Sequence, residues 1–207
     1  MSPQLDSLHT LEHRDDIGAR MGMWIFLFTE MFLFGGLFLV YAVYRSIYPV
    51  DFHAASLHLN SFIGAANTLI LITSSVTLSM AVTALQKGNK GLSANLIALT
   101  LALALFFIFN KLMEWDHKIL VNLYPGTDLM LSLKHGYVLF FGLYFFMTGL
   151  HALHMVIGTV LLMVCLFKVK SGSVNAEKST LLLNSALYWH LVDMIWIFLF
   201  PLLYLIP

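Results

Sequence analysis

Charge is what this sequence has least of. Only 11% of its 207 residues are Asp, Glu, Lys or Arg, whereas 59% are hydrophobic, and mean hydropathy is +0.84. A soluble domain carries about 25% charged residues. A separate water-exposed domain is therefore not expected, and one almost wholly membrane-embedded domain is. Formal net charge is zero and no basic patch stands out, which argues against a nucleic-acid surface. Cys165 is the only cysteine, so no internal disulfide can form, and within an apolar run it reads as a small hydrophobe. Gly-x-Ser-x-Gly, Walker and dinucleotide-binding motifs are missing, as is the Cys-x-x-Cys-His of covalent haem attachment. The opening stretch, 1–20, is polar and mixed in charge, with no signal-peptide core.

Long apolar runs are abundant. Five of them, at about 21–44, 62–85, 92–112, 137–167 and 181–206, each reach the roughly 20 residues that a helix needs to cross hydrocarbon. The expected fold is all-α, an integral membrane bundle of five transmembrane helices occupying 21–207. The short turn Lys87 to Gly91 makes spans two and three an antiparallel hairpin. Arg14, Arg20, Lys87, Lys90, Lys168, Lys170 and Lys178 fall on one side, and Arg45, Lys111, Lys118 and Lys134 on the other. The richer side marks the cytoplasm, so the N-terminus is expected there and the C-terminus outside. Trp24, Trp115, Tyr44, Tyr48 and Tyr124 lie near span ends, where an aromatic belt would place them.

Ionisable side chains inside such runs are costly and need partners. His151 and His154 are i and i+3 in the fourth run, with Met147 and Gly158 continuing their face. His190 and Asp193 repeat that spacing in the last run, flanked by Trp189 and Trp196. Counted from the cytoplasmic ends at about 1.5 Å per residue, these four and Glu30 fall roughly 15–25 Å deep, where they could meet. Three readings are open. Imidazoles with carboxylates could ligate zinc or non-haem iron, although only Glu114 and His117 show the Glu-x-x-His spacing of ferritin-like sites, at another depth. They could relay protons. Or they could form a structural polar core that bonds the helices to one another and to lipid. In span two, Asn67, Ser74 and Ser75 suit close helix packing. Lys111 and Glu114, at i and i+3, read as a local pair at the membrane interface.

These residues carry a family likeness. GLHALHMVIG (Gly149 to Gly158) followed by YWHLVDMIWIFLFPLLYL (Tyr188 to Leu205) resembles the last two helices of subunit III of haem-copper cytochrome c and quinol oxidases. GMWIFLFTEMFLFGGLF (Gly22 to Phe38) is similar to the first helix of that family's five-helix bacterial form, and the runs Asn67 to Ser75 and Phe109 to Ile119 match the next two. The resemblance implies a non-catalytic subunit in a bacterial plasma membrane, beside subunits I and II, which hold the haems and copper. It implies no cofactor on this chain, structural phospholipid in a V-shaped cleft between two helical groups, and support for proton uptake during oxygen reduction. A larger respiratory supercomplex is among the partners it implies. Glu30, Glu114, His151, His154, His190 and Asp193 fall on the family's polar positions, which favours the structural and lipid-associated reading.

Overall fold

The computed structural model describes residues 16–124, 126–127 and 134–205. The greater part of the expected polar segment 1–20, together with Pro125, Asp128 and the end of the last span, lies outside the described residues. Among the described residues six α-helices follow one another: α1 (Asp16–Ile47), α2 (Pro49–Ser56), α3 (Ser61–Gln86), α4 (Lys90–Leu120), α5 (His135–Lys170) and α6 (Thr180–Phe200). A π-helical turn, Pro201–Leu205, closes the described chain. Five helices are long and apolar enough to cross a membrane, α6 doing so together with its π turn.

The helices outrun the apolar stretches that mark them. Helix α1 has 32 residues and α5 has 36, because the backbone ladder continues through polar ends such as Asp16 and Lys170 after hydropathy has fallen. The first loop is partly helical. Pro49 fixes φ at the first position of α2 and lacks only an N–H that has no intrahelical partner there. Eight residues are too few for a period to show, and tertiary packing holds them. Phe52 lies edge-on to Tyr41 at 5.3 Å and to Phe140 at 5.5 Å.

The α3–α4 turn is built by Gly88 at φ +80° and by Asn89, whose side chain accepts from the Leu92 N–H at 3.0 Å. Asn60 caps α3 in the same way, accepting from Phe62 and Ile63. Helix α3 packs on α4, α4 on α5, α5 on α6, and α6 back on α3, closing a four-helix ring. Helix α1 lies outside the ring against α5 and α6. Of its most apolar stretch only 11% is buried, against 61% for α6 with its π turn.

Along one face of α5, buried residues recur at steps of three or four: Tyr144, Met147, His151, His154, Gly158, Leu162, Cys165 and Val169. Apolar burial gives helices in hydrocarbon little reason to associate, so side-chain fit and interhelical hydrogen bonds must hold the bundle. The two-group arrangement is not what the described residues form. Aromatic contacts seat α1 directly on its neighbours, with Phe26 stacked on Tyr188 and Phe38 against Phe198. An apolar hollow of about 200 Å³ lies between α1 and α6, lined in part by Met31, Gly35, Met194 and Phe198.

Candidate functional site

Helices α3 and α6 meet through Ser75. Its hydroxyl donates to Asp193 Oδ2 at 2.6 Å and lies 3.0 Å from His190 Nδ1. One hydroxyl has one proton. With that proton on Asp193, His190 donates from Nδ1, and its Nε2 lies 3.2 Å from the Ser79 hydroxyl, which donates to the Ser75 carbonyl at 3.0 Å. Ser74 also reaches Asp193 Oδ2, at 3.3 Å, and accepts from Trp189 Nε1 at 3.1 Å. Asp193 is buried, and its Oδ1 has no partner among the described residues. The rest of α3 is stitched to its neighbours similarly. Asn110 donates to Asn67 at 2.9 Å, Thr77 meets Thr100 at 2.8 Å, and Trp196 donates to Thr68 at 3.1 Å.

Helices α1 and α5 meet through Glu30 and His154. His154 Nε2 lies 3.0 Å from Glu30 Oε2, while Nδ1 faces the Leu150 carbonyl at 2.7 Å. Both nitrogens face oxygen acceptors. The pair must therefore hold one proton beyond that of a neutral imidazole, shared between ring and carboxylate, and it is electrically neutral as a unit. Phe34 stands edge-on to the ring at 5.4 Å, and the Tyr188 hydroxyl donates to the His154 carbonyl at 3.1 Å.

A third cluster ties α4 to α5 and the π turn. Lys111 Nζ donates to Glu114 at 3.2 Å, to the Tyr144 hydroxyl at 3.1 Å and to the Tyr204 hydroxyl at 2.7 Å. Both tyrosines donate in turn to Glu114 Oε1, at 2.7 and 2.6 Å. The expected Lys111–Glu114 pair forms, but it is buried at 3% and 5% side-chain exposure rather than sitting at the membrane surface. Pro201 explains the position of Tyr204. Lacking an N–H, it breaks the α-ladder of α6, and the chain widens into the π turn that carries Tyr204 to Lys111.

Glu30, His151, His154, His190 and Asp193 therefore do not gather into one cluster. They share a depth but not a direction. Residues i and i+3 on a helix diverge by about 60°, so His154 turns to α1 while His151 turns to Phe107 at 5.7 Å and Trp196 at 5.2 Å. Neither nitrogen of His151 has a partner among the described residues, where no group of three or more His, Cys, Asp or Glu side chains could hold a metal ion. Gly158 lets α6 approach α5. A Cβ there would lie 2.9 Å from Trp189 Cε3 and 3.2 Å from Tyr188 Cε1.

Sequence reasoning missed Tyr144, Tyr204, Asn110 and Thr100. Tyr144 was within reach, since it lies seven residues before His151 on the same face. The others have ordinary neighbours in sequence, and only the fold gives them partners.

These features define a multi-pass membrane protein, a helical bundle whose buried polar groups bond chiefly to one another across helix interfaces. Residues 3–206 match the family model described as Cytochrome c oxidase subunit III, and the chain belongs to that family. It is 31% identical to the cytochrome c oxidase subunit 3 of Thermostichus vulcanus over 96% of this chain and 91% of that one. It is 26% identical to the cytochrome bo(3) ubiquinol oxidase subunit 3 of Pseudomonas aeruginosa, over 95% and 90%. To the cytochrome c oxidase subunit 3 of Squalus acanthias it is 30% identical, over 90% and 69%.

Proposed function

We propose that this chain is a non-catalytic subunit III of a bacterial haem-copper terminal oxidase, of the cytochrome c oxidase type. It supports oxygen reduction coupled to proton pumping by stabilising the catalytic subunit, its bound lipids and its proton uptake. Subunits I and II are its partners, with membrane phospholipid around them, and the assembled oxidase is a candidate for a larger respiratory supercomplex. The haems and copper reside in the partners. The excess of Lys and Arg at the α3–α4 turn and around Lys168 to Lys178 supports a cytoplasmic N-terminus, a periplasmic C-terminus and insertion in the plasma membrane.

One observation carries the non-catalytic reading: the three imidazoles deep in the spans, His151, His154 and His190, are each engaged or enclosed. His154 uses both nitrogens on Glu30 and Leu150, and His190 uses both on Ser75 and Ser79. His151, at 1% exposure, lies among Phe107, Trp196 and its own helix, which leaves no room for a haem face. These residues do not fit a haem or a metal centre. They fit a polar core, to which we assign Glu30, Glu114, His151, His154, His190 and Asp193, with Asn67, Ser74, Ser75 and Gly158 closing the helix contacts.

Purification from the native membrane in mild detergent, followed by an absorption spectrum and metal analysis, tests this. The expected outcome is a haem signal arriving with larger membrane subunits and lost when this chain is separated from them. Oxidation of cytochrome c rather than quinol by the particle fixes the electron donor. A haem-free chain carrying stoichiometric iron or zinc would overturn the proposal.

A further inference from the structure

At the end of the bundle opposite the α3–α4 turn, the start of α3 and the last turns of α4 diverge around a hollow of about 860 Å³. That volume falls within the range of about 300–1,000 Å³ typical of ligand sites. Its walls divide by chemistry. Phe62, Phe109 and Met113, 82%, 56% and 59% exposed, make an apolar flank open to hydrocarbon, while His117 and Lys118 stand at the end nearer the helix terminus.

Lys118 is the telling residue. Lys111, Glu114 and Lys118 form a stripe on one face of α4, plus, minus, plus. Glu114 is fully engaged, accepting from Lys111 on one oxygen and from Tyr144 and Tyr204 on the other. The first two charges therefore offset each other, and the third has no ion-pair partner among the described residues. Lys118 is 5% exposed, its ammonium donates to the His58 carbonyl, and no carboxylate among the described residues lies within ion-pair distance of it. The C-terminus of α4 offers only about half an elementary charge. A buried ammonium left at that level of compensation is costly. An anion belongs beside it, and in this place the neighbouring medium is a lipid leaflet.

We propose that the α3–α4 hollow binds an anionic phospholipid. Its phosphate sits against Lys118 with His117 as a second donor, and an acyl chain runs down the Phe62, Phe109 and Met113 flank toward Ala66. The inference rests on the membrane-spanning reading and not on the oxidase assignment. The site lies between α3 and α4, away from the hollow between α1 and α6.

The test is a titration of the delipidated, purified complex with phosphatidylglycerol in mixed micelles, with phosphatidylcholine and inorganic phosphate as comparison probes. Phosphatidylglycerol should bind with a preference over phosphatidylcholine. Lys118→Gln should weaken it by about fivefold to tenfold, the worth of one basic side chain at a membrane surface. Ala66→Phe, which fills the groove from α3 and leaves Lys118 intact, should abolish it, and this variant decides the matter if Lys118→Gln fails to fold. Inorganic phosphate should not compete. Unchanged phosphatidylglycerol binding in Ala66→Phe would overturn the proposal. So would displacement of the lipid by inorganic phosphate, or a photo-crosslinker at Met113 that captures a protein subunit in place of lipid. Absence of a haem-bearing partner from the preparation would sink the oxidase assignment alone, since the titration is read equally on the isolated chain.

Discussion

Ser75 has one proton and two dependants, the Asp193 carboxylate and the His190 ring. Replacing it with Ala removes both bonds and leaves Asp193 Oδ2 with only the longer contact from Ser74. Interhelical hydrogen bonds within membranes average about 0.6 kcal/mol and reach about 1.7 kcal/mol. Ser75→Ala should therefore cost about 1–2 kcal/mol, read from unfolding of the detergent-solubilised chain. Ser79→Ala should cost less, because its only contact across helices is with His190 Nε2, its other bond being to the Ser75 carbonyl of its own helix. Equal losses would show that the hydroxyl is not the hub. The third cluster should behave more severely. Lys111→Met leaves the Glu114 charge buried without its cation, a change that costs about 3–5 kcal/mol where it has been measured. Lys111→Met with Glu114→Gln should be less destabilising than the sum of the single changes, because both remove the same interaction. Strict additivity would mean that the two groups act separately. At this scale His and Asp were legible because an ionisable group inside an apolar run is conspicuous. Tyr144 and Tyr204 were not, since tyrosine is at home equally in a core and at an interface.

The helices carry a different lesson in their glycines. Gly158 faces the α6 rings at contact distance, whereas a Cβ on Gly36 of α1 would meet nothing within 4 Å. Gly158→Ala should thus cost about 1–3 kcal/mol by overpacking against Trp189. Gly36→Ala should be neutral or stabilising by about 0.5–1 kcal/mol through the lower entropy of its unfolded chain. Thermal unfolding in detergent compares them, and a destabilised Gly36→Ala would mean that a partner helix approaches α1 there. Element existence was easy to read, because hydrophobic length is a strong signal. Helix α2 was hidden, as its eight residues hold shape only through Phe52 against Tyr41 and Phe140. The π turn was hidden too. Pro201 announces that a donor is missing, but it does not say how the chain makes up the loss.

At the scale of the molecule, a closed ring of α3 to α6 supports an outer α1, which is joined to it by few polar links. These include Glu30 to His154, Tyr41 to the Leu202 carbonyl at 2.8 Å, and Asn184 to the Ala19 carbonyl at 3.2 Å. Local opening follows contact density. Amide exchange of the solubilised, isolated chain should therefore be fastest in α1 among the long helices and slowest in α5 and α6, and uniform protection would contradict the ring. The sequence by itself determined the class of protein, the five spans and which residues carry polarity at depth. Those follow from hydropathy and from helical rise, both of which run along one axis. Only the tertiary structure decided who meets whom. Partnership depends on the direction in which each side chain leaves its helix and on which helix stands there, and neither is a property of depth. That is why five ionisable side chains at one level became two engaged pairs and one enclosed imidazole.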